Sequence, residues 1–344
     1  MNGLRLAIPS KGALEKPTLD LLSAVGLKVH RPNDRQYVAS MPALPAVEVI
    51  FQRAADIYTK VHEGSVDIGI TGYDVVCEED KGDGRVIVVY PQLGYGKCAL
   101  VLAVPDSWVD VVTLEDLAEL TLQWKEQNRI LRIVTKYKKL TRDWLFAHRI
   151  VNFVLVDAKG AMEAAPSMGY ADMIADVTST GTTLRENQLK PIQGGTILDS
   201  QTCLIANRSA LQSDPAKLAY TQTILELIEG HLTAKKFVSL TANVRGSSIE
   251  EVGSKFTQSP QLQDITGLRG PTIAKVYTSG PSDWYAVTVV IPEQKLLPTI
   301  AHLRAVGGTD ITVFPPSYVF RDVCQSSQRL LALLAQEVAG SCVS

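Results

Sequence analysis

The chain has 344 residues, with 34 lysines and arginines against 36 aspartates and glutamates, and a formal net charge of −2 at pH 7. This balance excludes nucleic acid as an evident partner, and no apolar run reaches the roughly 18 residues of a membrane span. Five cysteines at unpaired spacings indicate neither a zinc site nor a disulfide framework. We therefore expect a soluble protein of two or three domains from a reducing compartment.

The first part of the chain alternates strands with helices. Strands are predicted at residues 4–9, 47–51, 66–71, 85–90 and 98–104. Such alternation is typical of an α/β fold with a mostly parallel sheet, in which ligands bind beyond the carboxyl ends of the strands. The candidate nucleotide contacts at these strand ends are Lys11, Arg53, Thr71 and Gly72. Lys11 is equally typical of a solvated surface, and Arg53 of a surface ion pair.

The second part begins near Thr113, a predicted N-cap for a helix over residues 114–120, with Asp116 at the capping-box position. Further strands are predicted at residues 129–134, 151–156, 171–177, 196–198 and 202–206, with a turn at 189–195 and a helix at 214–232. A basic run consists of Lys136, Lys138, Lys139 and Arg142. This run fits a solvated helix face better than a contact to pyrophosphate.

Acids and hydroxyls concentrate between Glu163 and Leu184. The strand at 171–177 carries Asp172 and Asp176 and opens into a polar loop before a short helix. The loop consists of Thr178, Ser179, Thr180, Gly181, Thr182 and Thr183. Its hydroxyls and backbone N–H groups can wrap a phosphate, while an upstream acid accepts hydrogen bonds from the hydroxyls of a ribose. The pattern predicts a site for a 5-phosphoribosyl group, although such a loop is also typical of a plain N-cap and turn.

The third part, from Lys235, has the order βαββαβ of a ferredoxin-like domain. Its elements are predicted at residues 237–244, 247–256, 272–278, 284–291, 293–306 and 309–314, with a hairpin turn at 279–283. Pro298 should kink its helix or mark the true helix start. Because the segment has no acid–base constellation, it suits binding or assembly better than catalysis.

The stretch from Glu163 to Leu184 resembles the signature of the ATP phosphoribosyltransferase family. The match follows the family's order and spacing: acid, Ala-Pro, Gly, Ala-Asp, Ile, Asp, a hydroxyl, then Thr-Gly-x-Thr-Leu, and the similarity extends from Leu4 to about Phe320. The resemblance implies transfer of the phosphoribosyl group of phosphoribosyl pyrophosphate (PRPP) to N1 of ATP. This reaction releases pyrophosphate, requires Mg²⁺, and is the first step of histidine biosynthesis, with feedback inhibition by histidine.

The resemblance also implies a two-lobed core like that of periplasmic binding proteins, followed by a ferredoxin-like regulatory domain. We expect a discontinuous first lobe at residues 1–104 and 196–234 and a second lobe at 105–195. The regulatory domain is expected at 235–322 and a tail at 323–344. Two lobes joined by two crossings form a cleft that can close over substrates.

The resemblance assigns roles to the candidate residues. Glu163 and Asp176 are the expected catalytic acids, which orient the ribose hydroxyls. Asp172 and the loop from Thr178 to Thr183 are expected to bind PRPP, and the four strand-end residues to bind ATP. The expected histidine contacts are Leu268, Thr272 and Gly308. The metal ligands stay unassigned.

One position departs from the family's pattern. The family usually places arginine after its opening Pro-x-Lys-Gly segment, whereas this chain has Ala13, so one cation expected near the phosphates is missing. The five histidines, His30, His62, His148, His231 and His302, suit packing or surface roles, so positioning and charge stabilisation would supply the catalysis.

The family further suggests a homohexamer in equilibrium with dimers, inhibition by AMP as well as histidine, and a bacterial cytoplasm or a plastid stroma. Two readings compete with the enzyme. One is a bilobal small-molecule receptor. The other is a catalytically silent regulatory subunit that binds nucleotide or phosphoribosyl groups, which Ala13 keeps open.

Overall fold

The computed structural model describes residues 3–33, 35–157, 161–257, 268, 270–277 and 283–336. It divides into two compact units, Met1–Gln222 with Arg329–Ser344, and Thr223–Gln328. None of the helices in these described ranges combines the length and the apolar composition needed to cross a bilayer.

The first unit contains two lobes, each built on one sheet. The chain enters with β1 (Leu4–Pro9), α1 (Glu15–Ala24), β2 (Val38–Ser40), β3 (Val47–Gln52), α2 (Ala54–His62), β4 (Ile68–Gly72), α3 (Tyr73–Glu79) and β5 (Val86–Tyr90). It continues with β6 (Cys98–Pro105), α4 (Leu114–Glu126), β7 (Leu131–Thr135), α5 (Lys138–Ala147), β8 (Phe153–Asp157), β9 (Met173–Thr178), α6 (Thr182–Glu186) and β10 (Leu189–Ser200). It returns with β11 (Thr202–Asn207) and α7 (Arg208–Ser213). The last helix, α8 (Pro215–Ala234), belongs to the first unit up to Gln222 and to the second unit from Thr223.

The sheet of the first lobe has the order β2-β3-β1-β4-β11-β5. Strands β3, β1 and β4 are parallel, while β11 runs antiparallel to β4 and β5 on either side of it. Every residue of β4 and β11 is buried, as expected for apolar strands at the centre of a sheet. The parallel set brings Pro9, Gln52 and Gly72 to one edge of the sheet.

The sheet of the second lobe has the order β10-β6-β9-β7-β8, with β9, β7 and β8 parallel. Alternating side chains of its strands supply two apolar cores. In β9, Met173 and Ala175 face the core under α4 and α5, whereas Ile174 faces a second core with Met162 and Leu184. Asp176 therefore lies on the same face as Ile174.

Two predictions about these lobes are wrong. The strand β6, placed in the first lobe, pairs with β9 and β10 of the second sheet, so the first crossing lies between Tyr90 and Cys98. The predicted turn at 189–195 is part of β10, which crosses from Leu189 to Ser200 with register shifts between Pro191 and Leu198. Proline and glycine are tolerated at such irregularities, so they mark bulges here rather than a chain reversal.

Other elements agree with the sequence, with local differences. Thr113 and Asp116 form the expected reciprocal capping box, but α4 runs on to Glu126. The sequence missed the short edge strand β2 and the helix α7. The position of the tail contains a helix, α11 (Gln325–Ala335), between the last strand and the C-terminal end of the described residues.

The second unit contains the expected βαββαβ module. Its elements are β12 (Phe237–Arg245), α9 (Ile249–Thr257), β13 (Thr272–Lys275), β14 (Trp284–Pro292), α10 (Leu296–Ala305) and β15 (Thr309–Phe314). The sheet order is β13-β14-β12-β15, and its core is formed by alternate apolar residues such as Leu240 and Val287. Pro298 lies in the first turn of α10 and marks the helix start. The predicted turn at 279–283 lies outside the described residues, except for Asp283.

Candidate active site

The acids of the second lobe lie together beside the polar loop. Asp176 is half-buried near the end of β9, and burial is the main reason that its pKa rises from 3.8 to about 6. The Val177 N–H, which donates to Asp176 Oδ1 at 2.8 Å, lowers the pKa, and the nearby Glu163 carboxylate raises it. Lys136 contributes an opposing positive charge. The two expected catalytic acids therefore share one electrostatic environment.

A third carboxylate connects the acids to the first lobe. Asp74, in the first turn of α3, is buried and accepts a hydrogen bond from the Tyr137 hydroxyl at 2.6 Å and from the Ser200 hydroxyl at 2.7 Å. Tyr137 follows β7, and Asp74 follows β4. The hydrogen bond thus shows that the carboxyl edges of the two sheets face each other. Burial, followed by the charge of Asp74, raises the pKa of Tyr137, so this phenol stays protonated as a donor.

The polar loop is exposed and ordered by its own hydroxyls. Gly181 has a φ of 69°, a left-handed conformation that favours glycine, and its N–H donates to Thr178 Oγ1 at 2.9 Å. The hydroxyls of Thr180 and Thr182 are 2.9 Å apart. The guanidinium of Arg185 lies over the loop and donates to the Thr180 carbonyl at 3.3 Å and to the Thr182 hydroxyl at 3.2 Å. The loop therefore combines exposed hydroxyls, such as those of Ser179 and Thr183, with a cation.

The four expected nucleotide contacts lie at one edge of the first sheet, but their side chains differ in exposure to solvent. Lys11 and Arg53 are exposed, and neither forms an ion pair with a carboxylate of the described residues. Thr71 is fully buried and donates its hydroxyl to the Ala54 carbonyl at 2.7 Å, so its side chain fixes the start of α2 instead of facing the cleft. Gly72 is the N-cap of α3, and a Cβ there would lie 2.4 Å from Asp74 Oδ1.

The expected role of Asp172 in binding PRPP is wrong on geometric grounds. Asp172 precedes β9, and the loop follows it, so roughly 20 Å of strand separate the two. Its carboxylate is buried and accepts hydrogen bonds from the Arg132 N–H and from the Arg132 guanidinium at 2.8–3.1 Å. Arg129 lies 3.6 Å away. The Arg132 hydrogen bonds hold the pKa of Asp172 below its usual range against the effect of burial.

The three expected histidine contacts are not brought together within one chain. Thr272 is exposed on β13 and Gly308 precedes β15, and these strands form opposite edges of the sheet. Three strand spacings of about 4.8 Å separate them, too far for one amino acid to touch both. Leu268 is half-buried and lies four residues before Thr272. A pocket at the β13 edge can therefore use Leu268 and Thr272 but not Gly308 of the same chain.

Family models match both parts of the chain. The family model described as ATP phosphoribosyltransferase matches residues 53–230, and that of the HisG C-terminal domain matches residues 234–317. The chain is 40% identical over 337 residues to ATP phosphoribosyltransferase 2, chloroplastic, of Arabidopsis thaliana, covering 96% of this chain and 80% of that protein. This chain belongs to the ATP phosphoribosyltransferase family. It is an enzyme of the first step of histidine biosynthesis. This result favours the enzyme over the two non-catalytic interpretations, the small-molecule receptor and the silent regulatory subunit.

Relatives extend beyond plants. ATP phosphoribosyltransferase of Nitrobacter hamburgensis is 32% identical over 324 residues, covering 92% of this chain and 94% of its own. Among solved structures, the ATP phosphoribosyl transferase (HisG:HisZ) complex from Thermotoga maritima matches with a TM-score of 0.51 at 25% identity. That match covers 66% of this chain and 98% of the other, so it leaves about a third of this chain without a counterpart.

The described side chains form no ready metal centre. No group of three or more metal-ligating side chains lies close enough to hold an ion within the ranges that the structure describes. Asp176 and Glu163 nevertheless form a pair of mutually repelling carboxylates, which a cation would relieve. Mg²⁺ is commonly held by one or two carboxylates together with substrate phosphates. The residues therefore fit a metal that arrives with a phosphorylated substrate better than a resident metal centre.

Sequence reasoning missed three residues that the structure places at this candidate site. Asp74 and Arg185 stood in the sequence as a helix-start acid and a last-turn cation, positions that are common on any surface helix. Tyr137 lies within the basic run of residues 136–142 and has no distinguishing sequence pattern of its own. The useful signal was position, because Asp74 and Tyr137 each follow a strand whose carboxyl end faces the cleft.

Proposed function

We propose that the cleft of the first unit transfers the 5-phosphoribosyl group of PRPP to N1 of ATP and releases pyrophosphate. ATP lies against the carboxyl edge of the first sheet, near Lys11 and Arg53. PRPP lies against the second lobe, with its 5-phosphate in the loop from Thr178 to Thr183 and its ribose at Asp176 and Glu163. The observation that carries this assignment is the pair of acids beside an exposed hydroxyl loop at the edge that faces the other lobe.

The chemistry requires little acid–base work from the protein. The bond from C1 of the ribose to pyrophosphate breaks, and its electron pair leaves with pyrophosphate. The lone pair of N1 forms the new bond to C1. Between these events C1 carries positive charge, which ionised Asp176 and Glu163 stabilise while accepting hydrogen bonds from the ribose hydroxyls. Mg²⁺ bound to the pyrophosphate would neutralise the leaving group.

Cations of the chain hold the anionic substrates in place. Lys11 and Arg53 have no described carboxylate partner, so they are free to contact the phosphates of ATP. Arg185 lies over the phosphate loop and adds a positive charge there. Because both substrates are anionic, such contacts can align N1 with C1 and lower the entropic part of the barrier.

Replacement of Asp176 tests the site. Asp176→Asn keeps the shape of the side chain but removes its charge, so we expect the rate of phosphoribosyl-ATP formation to fall by a factor of about 10² or more, with unchanged thermal unfolding. The matched control is Asp110→Asn, at an exposed carboxylate of the second lobe. Equal kinetics in the two variants would place the ribose elsewhere.

We further propose that the second unit binds histidine as a feedback inhibitor at the β13 edge, through Leu268 and Thr272. AMP would compete with ATP at Lys11 and Arg53. As its assembly we propose a homohexamer in exchange with dimers. Two Arabidopsis relatives are named as chloroplast proteins, which supports the plastid stroma for this chain.

A further inference from the structure

Two helices from different lobes meet end to end beside the cleft. The C-terminal end of α3, in the first lobe, meets the N-terminal end of α5, in the second. The half-buried carboxylate of Glu78 accepts a hydrogen bond from the Lys139 N–H at 2.8 Å on one oxygen and from the Leu140 N–H at 3.0 Å on the other. These are first-turn amides of α5, which have no partner within their own helix.

A side chain of α5 caps the C-terminal end of α3 in return. The ammonium group of Lys139 donates to the carbonyls of Asp80 at 2.8 Å and Cys77 at 3.3 Å, at the end of α3. Each helix thus supplies the cap of the other. The charges also suit the helix dipoles, because an acid lies at the N-terminus of α5 and a base at the C-terminus of α3. We call this reciprocal pair of caps, formed by Glu78 and Lys139, the clasp.

The clasp lies one turn of α3, about 6 Å, from the acidic junction at Asp74. There Asp74 accepts hydrogen bonds from Tyr137, immediately before α5, and from Ser200, at the second crossing between the lobes. The lobes are therefore joined at both ends of α3. A hinge motion that opened the cleft along this side would break the four hydrogen bonds of the clasp as a set.

We propose that Glu78 and Lys139 are positioning residues for the transfer reaction. Their hydrogen bonds go to the backbone of the opposite helix, so they act on the reaction by holding the lobes. The clasp holds the lobes at the separation in which the cations of the first lobe and the acids of the second act on one pair of substrates. This proposal concerns how the lobes are held, and it stands apart from which residues contact PRPP.

The clasp has a kinetic consequence that differs from simple stabilisation. When only the closed arrangement binds substrates productively, the apparent dissociation constant equals the intrinsic one divided by the closed fraction. If loss of the clasp lowers the closed fraction to about one tenth, the KM values of ATP and PRPP both rise about tenfold. Saturating substrates restore closure, so kcat changes little. A cap that only stabilised the fold would lower the unfolding temperature and leave both KM values unchanged.

The main variant is Glu78→Gln, in which the side-chain NH₂ cannot accept a hydrogen bond, so one α5 amide loses its partner. Its matched control is Glu79→Gln, the next residue on the same helix, which is exposed. Lys139→Met removes the opposing cap, whereas Lys139→Arg retains donors at that position. All four are made in the full-length chain, and steady-state kinetics are measured for both substrates.

We expect KM to rise about tenfold for ATP and PRPP together in Glu78→Gln and Lys139→Met, with kcat within about twofold of the parent. Lys139→Arg and Glu79→Gln should keep the parent values. Because both caps belong to one clasp, the double variant should be no worse than the more affected single variant. Equal KM values in Glu78→Gln and Glu79→Gln, or a rise confined to one substrate, would overturn the proposal.

Amide hydrogen exchange tests the clasp directly and does not depend on activity. In the substrate-free enzyme, the peptide containing Lys139 and Leu140 should exchange faster in Glu78→Gln than in Glu79→Gln. Addition of ATP and PRPP should restore its protection. Exchange that is equally fast in the parent chain would mean that the clasp is not formed in solution, and the proposal would fail even if Asp176 proved essential.

Discussion

The raised pKa of Asp176 predicts a pH dependence of the reaction, and two substitutions should shift that pKa in opposite directions. Its pKa lies at about 6, with burial as the largest cause and the charges of Glu163 and Lys136 acting in opposite directions. Below that pH the free enzyme carries a protonated carboxyl, which cannot stabilise positive charge on the ribose. We therefore expect kcat/KM for PRPP to rise with pH through about 6.

Two substitutions should move this rise in opposite directions. Glu163→Gln removes a repelling charge, so ionised Asp176 becomes easier to form and the rise moves to lower pH. Lys136→Met removes an attracting charge and moves it to higher pH. Because burial outweighs both charges in the change from 3.8 to about 6, we expect each displacement to be only about half a pH unit.

The assay is a pH profile of kcat/KM for PRPP, followed by the absorbance of phosphoribosyl-ATP at saturating ATP. The phosphate groups of PRPP titrate identically with every variant, so differences between profiles report the enzyme. Asp176→Asn is the control and should lose the enzyme's own rise. Displacement of both profiles in the same direction, or of neither, would refute the assignment of the rise to Asp176.

Three further predictions follow from single positions. Ala13→Arg restores the family's cation at an exposed position that follows Gly12, whose surroundings are open. The variant should lower KM for ATP about two- to fivefold in steady-state kinetics. An unchanged KM would show that the phosphates of ATP lie elsewhere. Asp172→Asn weakens the buried contact with Arg132 and should lower the free energy of unfolding in urea by about 1–3 kcal/mol. KM for PRPP should stay unchanged. A raised KM would restore the PRPP-binding role that the geometry excludes. Thr272→Ala should raise the histidine concentration needed for inhibition with kcat unchanged, and inhibition equal to that of the parent chain would move the effector site away from β13.

The sequence was most informative where one local pattern determined the outcome. The strand β1, the capping box of Thr113 and Asp116, and the βαββαβ order were all predictable, because periodicity and caps act over a few residues. The alternation of strands and helices predicted the α/β class, while the two lobes were implied by the family resemblance. These features need no information about which distant strands pair.

The errors arose where long-range pairing decided the structure. Pro191 and the Gly194–Gly195 pair suggested a turn, but β6 pairs with β10 on both sides of residues 192–195, so the chain bulges and continues. Asp172 and Asp176 looked equivalent in sequence, since both are acids beside one strand. Only the structure shows that the carboxylate of Asp172 is hydrogen-bonded by Arg132, at the end of β9 that is far from the phosphate loop.

The position of β11 has a consequence for biosynthesis. This strand lies inside the first sheet, between β4 and the edge strand β5, yet residues 91–201 separate it from β5 in the chain. During translation, β4 and β5 therefore emerge with unpaired edges, which invite aggregation until the missing strand arrives. The second lobe is continuous from Cys98 to Ser200 and can fold in the interval, which shortens the loop that must close. The order of synthesis thus makes completion of the first sheet a late and slow event.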